Sequence, residues 1–441
     1  MSSFSSLLVD YYQLAMAEVY LAKGLVGPSA FEFFVRRLPE NRNFLVAAGL
    51  SQALDYLLDL EFSDEELLYL KGLGFSSNLL DFLKDLSFKG DVWAMPEGTL
   101  FFENEPILRV EAPLPVAQLV ETRLINILHF QTLIASKAAR VRLSAGKLPL
   151  IDFGLRRSHE AEAGLMAARA CYISGFNATA TVEAGCAFGI PVAGTMAHSF
   201  VLAHENEEQA FRNFIDIHRE NTILLIDTFD TLKAAKLATG LFHEYRKKGI
   251  KIKGVRIDSG DLLVLSKKVR QIFDEAGCSE LAIFVSGGLD EFGIFELLRK
   301  GAPIDGFGVG TMVDTSADAP YLDCAYKMVE YSGRARMKFS VGKATIPFKK
   351  QVFRFFDRDG RFQRDVIGAA HENPGGTHLL EKVVEKGRLL KREGIADARA
   401  RVEEGLARLP EASRSIHEKA DFTVGLSHGI EQYLNKEQGK V

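Results

Sequence analysis

Over residues 1 to about 90 the apolar positions recur mostly at helical spacing. The exception is Ala30 to Val35, an apolar aromatic run that reads as a strand. From Val92 to Glu111 the pattern is strand-like, with breaks at Pro96, Gly98 and Pro106. Pro115 suits a first helical position and opens a predicted helix to about Leu143. Leu119, Leu124, Ile127, Leu128, Leu133 and Ile134 supply its apolar face.

At Leu148 the rhythm changes. Short apolar runs recur at Leu148–Phe153, Pro191–Ala193, Ile223–Ile226, Gly254–Ile257, Ile283–Val285 and Gly306–Val309. Helical segments separate most of them, among them Thr231–Lys248, Asp261–Ala276 and Asp290–Lys300. Strands alternating with helices at this spacing predict βαβ units, a parallel sheet, and a barrel or partial barrel. Beyond Thr311 the pattern loosens. Met337–Phe339 and Gln351–Phe356 read as strands, while charged Leu379–Leu409 reads as a partly helical solvated face. The Lys349-Lys350 pair is read as solvated too.

Composition changes this picture little. The 441 residues are 47% hydrophobic and 25% charged, enough apolar material for a large core. A net charge of −4 argues against a general binder of nucleic acid or anionic membrane. A polyanionic substrate therefore needs a local basic pocket. Cys171, Cys186, Cys278 and Cys324 are far apart with no Cys-x-x-Cys pair, and are expected to be buried reduced thiols of a cytoplasmic protein. The N-terminus lacks a basic region followed by an apolar one, so no secretory signal is expected, and no apolar run is long enough to span a bilayer.

The candidate chemistry lies just after the predicted strands: Asp152 and Arg156; Thr195 and His198; Asp227 and Thr228; Arg256, Asp258 and Ser259; Ser286, Gly287 and Gly288; Gly308, Gly310 and Thr311. Loops at the carboxyl ends of barrel strands open on one face, so these residues can line one pocket. Glycines there let backbone N–H groups approach an anion, although plain turn glycines would look the same. Arginine offers a bidentate fork to phosphate or carboxylate, and of the neighbours Arg156 and Arg157 one is expected to face solvent. Arg256 and Asp258, two apart, can point the same way, or simply pair. His198 sits beside a predicted helix start and could be an acid, a base, a nucleophile or a structural histidine. His159, His204 and His218 are read as surface or structural. Without a Walker-type loop or a dinucleotide fingerprint, the residues alone indicate an α/β-barrel enzyme handling a phosphorylated, anionic small molecule.

The ordered set of motifs narrows this. Asp10-Tyr-Tyr-Gln13, Pro96-Glu-Gly98, Asp152-Phe-Gly-Leu-Arg-Arg157, Val192-Ala-Gly-Thr-Met-Ala-His-Ser-Phe200, Leu225-Ile-Asp-Thr228, Gly254-Val-Arg-Ile-Asp-Ser-Gly-Asp261, Gly308-Val-Gly-Thr311 and Arg336-Met-Lys338 together resemble the nicotinate phosphoribosyltransferase family from Asp10 to about Arg354. The resemblance implies a smaller N-terminal α/β sandwich domain (1–145), an irregular, partly open TIM-like α/β barrel (146–330), and a C-terminal segment (331–441) that completes the smaller domain. It implies a homodimer in which Tyr12 contacts the pyridine ring across the interface, with Phe153 on the other face. Arg156, Arg256 and Thr195 match positions holding nicotinate, phosphate or both. Ser286, Gly287, Gly288, Gly308, Gly310 and Thr311 fall on the phosphate loops that hold phosphoribosyl pyrophosphate (PRPP), and Asp258 near the ribose. His198 matches the histidine that ATP phosphorylates, with Mg2+ on the phosphates and no metal held by the protein itself. Some family members carry a C-terminal cysteine cluster for metal, and this sequence lacks it.

Nicotinamide phosphoribosyltransferase is similar too, but has an aspartate where Ala180 stands here. An aspartate would accept from an amide and repel a carboxylate, so Ala180 favours nicotinate. Quinolinate phosphoribosyltransferase is much shorter and lacks a match to the His198 motif. The expected reaction is condensation of nicotinate with PRPP to nicotinate mononucleotide, coupled to ATP, as the first step of NAD salvage. A non-catalytic nucleotide-binding regulator is the rival from another class, and the retained His198, Arg256 and Asp258 argue against it. An aldolase-like barrel needs a strand-end lysine, whereas Lys253 precedes its strand.

Overall fold

The computed structural model describes residues 5–338 and 345–438. The N-terminal stretch holds α1 (Tyr11–Ala22), β1 (Pro28–Val35), β2 (Leu45–Val46), α2 (Leu50–Leu58), α3 (Asp64–Gly72), α4 (Ser77–Lys84), β3 (Asp91–Ala94), β4 (Leu100–Phe101), β5 (Pro106–Pro113), α5 (Leu114–Leu119) and α6 (Glu121–Ala145). The long helix expected from Pro115 is thus two helices. They part at Val120, the C-cap of α5, where ψ rises to −3° from the regular helical value.

The next stretch is α/β. It holds β6 (Leu150–Asp152), α7 (Ala161–Ile173), β7 (Ala178–Thr179), α8 (Val182–Phe188), α9 (His198–Leu202), α10 (Glu207–His218), β8 (Thr222–Leu225), α11 (Thr231–Lys247), β9 (Ile252–Ile257), α12 (Leu262–Glu275), β10 (Ala282–Val285), α13 (Glu291–Arg299), β11 (Gly306–Val309) and α14 (Thr311–Asp314). The six strands form one sheet in the order β7-β6-β11-β10-β9-β8, and every pairing is parallel. The last strand pairs with the first, Val309 opposite Asp152, which is a barrel's closing seam. The gap falls between β7 and β8, giving a curled half-barrel. Buried Val255, Ile257, Ile283, Val285, Phe307 and Val309 make its strands nearly continuous hydrophobic runs, as a sheet covered on both faces requires. Aspartates cap the helices that follow: Asp230 accepts from Leu232 and Lys233, Asp261 from Val264, and Asp290 from Gly293. The run Pro191–Ala193 contributes only a bridge from Val192 to Thr179. The strand beside β6 is instead the two-residue β7.

The C-terminal stretch adds β12 (Cys324–Tyr331), β13 (Arg334–Ala335), β14 (Lys350–Phe356), β15 (Phe362–Ala369), β16 (Thr377–His378), β17 (Glu381–Glu385), β18 (Arg388–Leu389), α15 (Ile395–Arg408), β19 (Val424–Leu426) and α16 (His428–Gln438). It returns to the N-terminal strands in a seven-stranded sheet ordered β13-β12-β1-β5-β3-β17-β18. The stacked rings of Phe31 and Tyr326, 5.1 Å apart, tie β1 to β12. Two compact units result, Met1–Ser136 with Tyr321–Val441, and Lys137–Pro320. These limits differ from the sequence boundaries at 146 and 331. Lys137 and Arg140, late in α6, pair with buried Glu291 at 2.6 and 2.9 Å, and β12 pairs along its length with β1.

Four expectations about the periphery are corrected. Lys350 is buried at 2% exposure, with Nζ 2.5 Å from Glu32 Oε2, while neighbouring Lys349, just before β14, stays partly exposed beside Glu111. Leu379–Leu409 contains β17 and β18 as well as α15, and buries Val383, Val384, Val402 and Leu409. Cys186 is exposed and Cys324 half-buried, whereas Cys171 and Cys278 are buried, all four as free thiols. Met337 and Lys338 are not strand, and Phe339 lies outside the described residues. Among the described residues no helix is long and apolar enough to cross a membrane.

Candidate active site

The carboxyl ends of β6, β9, β10 and β11 bring the strand-end residues together. Phe153 follows β6 and donates its N–H to Val309 O at 2.8 Å. Its ring lies on the face of β11 where Gly308 has no side chain: a Cβ at Gly308 would stand 2.4 Å from the ring. A Cβ at Gly310 would stand 2.7 Å from Phe153 O. These two glycines are therefore required by close approach, whatever they bind. The Arg256 guanidinium lies 5.8 Å from the Phe153 ring centroid.

Arg256, on β9, donates from Nη2 to Met196 O at 3.2 Å, and Thr195 Oγ1 donates to the same carbonyl at 3.3 Å. Its buried Nε has no hydrogen-bond partner among the described residues. Burial lowers the Arg256 pKa, Asp258 and Asp227 oppose that shift, and Arg156 adds to it. Arginine remains charged under such pressure. Arg156 is exposed in a short 3-10 turn, Leu155–Arg157, and so is Arg157.

His198 opens α9 with Nε2 3.1 Å from Asp227 Oδ1. The other Asp227 oxygen accepts from Asp258 N at 3.0 Å and Ser259 Oγ at 2.6 Å. Asp258 in turn accepts from Ser286 Oγ, and its carbonyl sits 2.2 Å from where a Gly287 Cβ would be. Gly287 and Gly288 both have positive φ, 98° and 64°, a turn that gathers successive N–H groups and that side chains oppose. One connected set thus runs from His198 through Asp227 and Asp258 to the Ser286–Gly288 loop. Nearby Glu207, at the start of α10, is pushed up to about 7 by burial and by the charges of Asp230 and Asp227.

The remaining sequence candidates are more dispersed. Ala180 follows β7, donates its N–H to Asp152 O at 2.8 Å, and is exposed. Thr311 is exposed at the first position of α14. Tyr12 belongs to the other unit, on α1, with 46% exposure. Asp227 is the residue that sequence reading undervalued. It stood out only as an acid at a strand end, and its partner lies 29 positions away. Asp314 and Thr179, which surround Asp152, carried no signal. His159 and His218 are exposed, and His204 bonds to Phe200 O at 2.8 Å, in keeping with surface or structural roles.

A half-barrel with paired acids, a half-buried arginine and glycine loops on its carboxyl-end face defines an α/β-barrel protein with a candidate small-molecule site on that face. Residues 7–129 match the nicotinate phosphoribosyltransferase N-terminal domain, and residues 148–346 match the nicotinate phosphoribosyltransferase family. Nicotinate phosphoribosyltransferase pncB2 of Mycobacterium tuberculosis is 42% identical over 433 residues, covering 96% of this chain and 92% of that protein. Nicotinate phosphoribosyltransferase of Bacillus subtilis is 38% identical over 456 residues, covering 96% and 93%. The crystal structure of human nicotinic acid phosphoribosyltransferase superposes with a TM-score of 0.87 at 27% identity, covering 97% of this chain and 99% of that one. The chain belongs to the nicotinate phosphoribosyltransferase family.

Proposed function

We propose that this protein condenses nicotinate with PRPP to give nicotinate mononucleotide and pyrophosphate, coupled to ATP hydrolysis, as the first step of NAD salvage in the cytoplasm. The observation that carries this reading is the joining of Phe153, Arg256, Asp258 and two glycine loops on one face of the half-barrel. The pyridine nitrogen displaces pyrophosphate from ribose C1 through an oxocarbenium-like transition state. Neutral pyridine needs no strong base, so positioning and charge stabilisation carry the step. Phe153 holds the ring, Arg156, Arg256 and Thr195 hold the carboxylate or phosphate, and Asp258 lies by the ribose hydroxyls. The amides of Ser286–Gly288 and of Gly308–Thr311 hold phosphate oxygens.

His198 is the residue that ATP phosphorylates in this reading. With Nε2 facing Asp227 Oδ1, the carboxylate accepts the ring N–H and Nδ1 keeps its lone pair for the γ-phosphorus. Among the described residues no three His, Cys, Asp or Glu side chains gather to hold a metal. Mg2+ in this reading would be carried on substrate phosphate oxygens and would neutralise charge on the leaving pyrophosphate. The protein acts as a homodimer in which Tyr12 serves the partner's pyridine site. Exposed Ala180 leaves room for the nicotinate carboxylate, which favours nicotinate over nicotinamide as substrate. Chromatographic identification of the mononucleotide formed from nicotinate and PRPP tests the reading, and folded protein that forms none contradicts it.

A further inference from the structure

At the seam where β11 meets β6, two turns leave the sheet side by side: Phe153–Arg157 from β6 and Gly310–Asp314 from β11. Two carboxyl groups lie beneath them, Asp152 at 1% exposure and Asp314 at 2%. Both Asp152 oxygens are occupied: Oδ1 accepts from Gly154 N at 2.8 Å and Oδ2 from Thr179 Oγ1 at 2.6 Å. Asp314 Oδ2 accepts from Ser158 Oγ at 2.8 Å, while its Oδ1 is buried and receives no donor. The two carboxyl groups are within hydrogen-bond reach of each other.

Two buried carboxylates in contact would repel strongly, and an acceptor without a donor is costly. One proton removes both penalties. If Asp314 Oδ1 carries it, the orphan acceptor becomes a donor to Asp152, which remains a carboxylate with three donors. Burial, and then the charge of Asp152, raise Asp314 well above the ordinary carboxyl range, and Asp152 is raised less severely. The titratable group facing the pair from α7 is Cys171, a buried thiol held neutral by the same burial. From the 3-10 turn come Arg156 and Arg157, both exposed. Asp314 also fills the space beneath the first turn, since a Cβ on Gly154 would lie 2.0 Å from its carboxyl carbon.

We propose that Asp314 is a positioning residue for the pyridine site: as the neutral acid it donates to Asp152 and so fixes the Phe153–Arg156 turn against Gly308 and Gly310. This rests on the reading of Phe153 and Arg156 as nicotinate-holding residues. The clamp acts on substrate binding through the turn and does not touch the reacting atoms.

Asp314→Ala and Asp314→Asn separate the clamp from a merely structural role. The asparagine can donate its NH2 to Asp152 and accept from Ser158, so it copies the neutral acid at every pH. Asp314→Ala should raise nicotinate KM about ten-fold with a smaller change in kcat, as a loosened turn misplaces ring and carboxylate. Asp314→Asn should restore KM to within about two-fold, on the same positioning argument. Wild-type nicotinate KM should climb on the alkaline side, where Asp314 ionises, while the Asn variant stays flat. Infrared difference spectra of wild type against Asp314→Asn should show a buried carboxylic-acid carbonyl band that the variant lacks, a readout that needs neither turnover nor a folded Ala variant. Absence of that band, a folded Ala variant with unchanged nicotinate KM, or an Asn variant as impaired as Ala would each overturn the proposal. A wild type that shows the acid band but never turns over nicotinate counts instead against the functional reading.

Discussion

His198 Nε2 stands 3.1 Å from Asp227 Oδ1, and the same aspartate receives the N–H of Asp258 and the hydroxyl of Ser259. The carboxylate is 2% exposed while the imidazole is 40% exposed, so a fixed acid orients a ring that still reaches solvent. Asp227→Asn keeps the shape and removes the charge that sets the tautomer. Its asparagine NH2 can turn toward Nε2 and favour the wrong ring proton. Phosphate uptake from γ-labelled ATP onto His198 should fall by roughly 10²-fold or more. His198→Ala should abolish acid-labile labelling while slow ATP-independent condensation persists. Undiminished labelling in Asp227→Asn would remove Asp227 from the mechanism.

Ala180 is exposed beside the end of β7, so a carboxylate placed there is partly screened. Ala180→Asp should raise nicotinate KM on the order of five-fold, the effect of about 1 kcal/mol between unit charges near 4 Å in water, and more if bound substrate excludes solvent. Nicotinamide should be affected far less. Identical nicotinate kinetics in the variant would place Ala180 outside the pocket.

If Tyr12 serves the partner's site, Tyr12→Ala and His198→Ala chains complement each other. Refolded together at random, half the dimers are mixed and each has one intact site of two, so roughly a quarter of wild-type activity should return. Zero activity, with mixing verified by differently tagged chains, would mean that Tyr12 acts within its own chain or not at all.

Glu207 has a native pKa of about 7 against an ordinary 4.5, raised first by burial. Its native state therefore holds a proton that the unfolded chain releases. The stabilisation is fully present below 4.5 and is lost as pH rises through about 7. Glutamine is neutral throughout, so Glu207→Gln should gain Tm relative to wild type near pH 8.5 and little near pH 5. A Tm difference that does not vary with pH would show that Glu207 ionises freely.

The half-barrel was legible because its strands are short apolar runs spaced by capped helices: Ile223–Ile226, Gly254–Ile257, Ile283–Val285 and Gly306–Val309 each fall on β8 to β11. Ala178–Thr179 escaped because two small residues carry no periodic signal, while apolar Val192 nearby attracted the assignment and makes only a bridge. Lys350 looked solvated because its partner Glu32 is 318 positions away. Gln351–Phe356 was legible as β14, but β17 was obscured by charge, since it sits next to the sheet edge and flanks buried Val383 and Val384 with exposed Glu381 and Glu385. In the site, strand-end residue types were visible along the chain, but the pairs His198–Asp227 and Asp152–Asp314 exist only once topology joins distant loops.

The most direct measurement is a steady-state comparison of nicotinate and nicotinamide, each with PRPP and Mg2+, with and without ATP. The expected result is nicotinate mononucleotide as product, a kcat/KM for nicotinate roughly 100-fold or more above that for nicotinamide, and faster turnover with ATP. Equal or better use of nicotinamide, or no mononucleotide from folded protein, would contradict it.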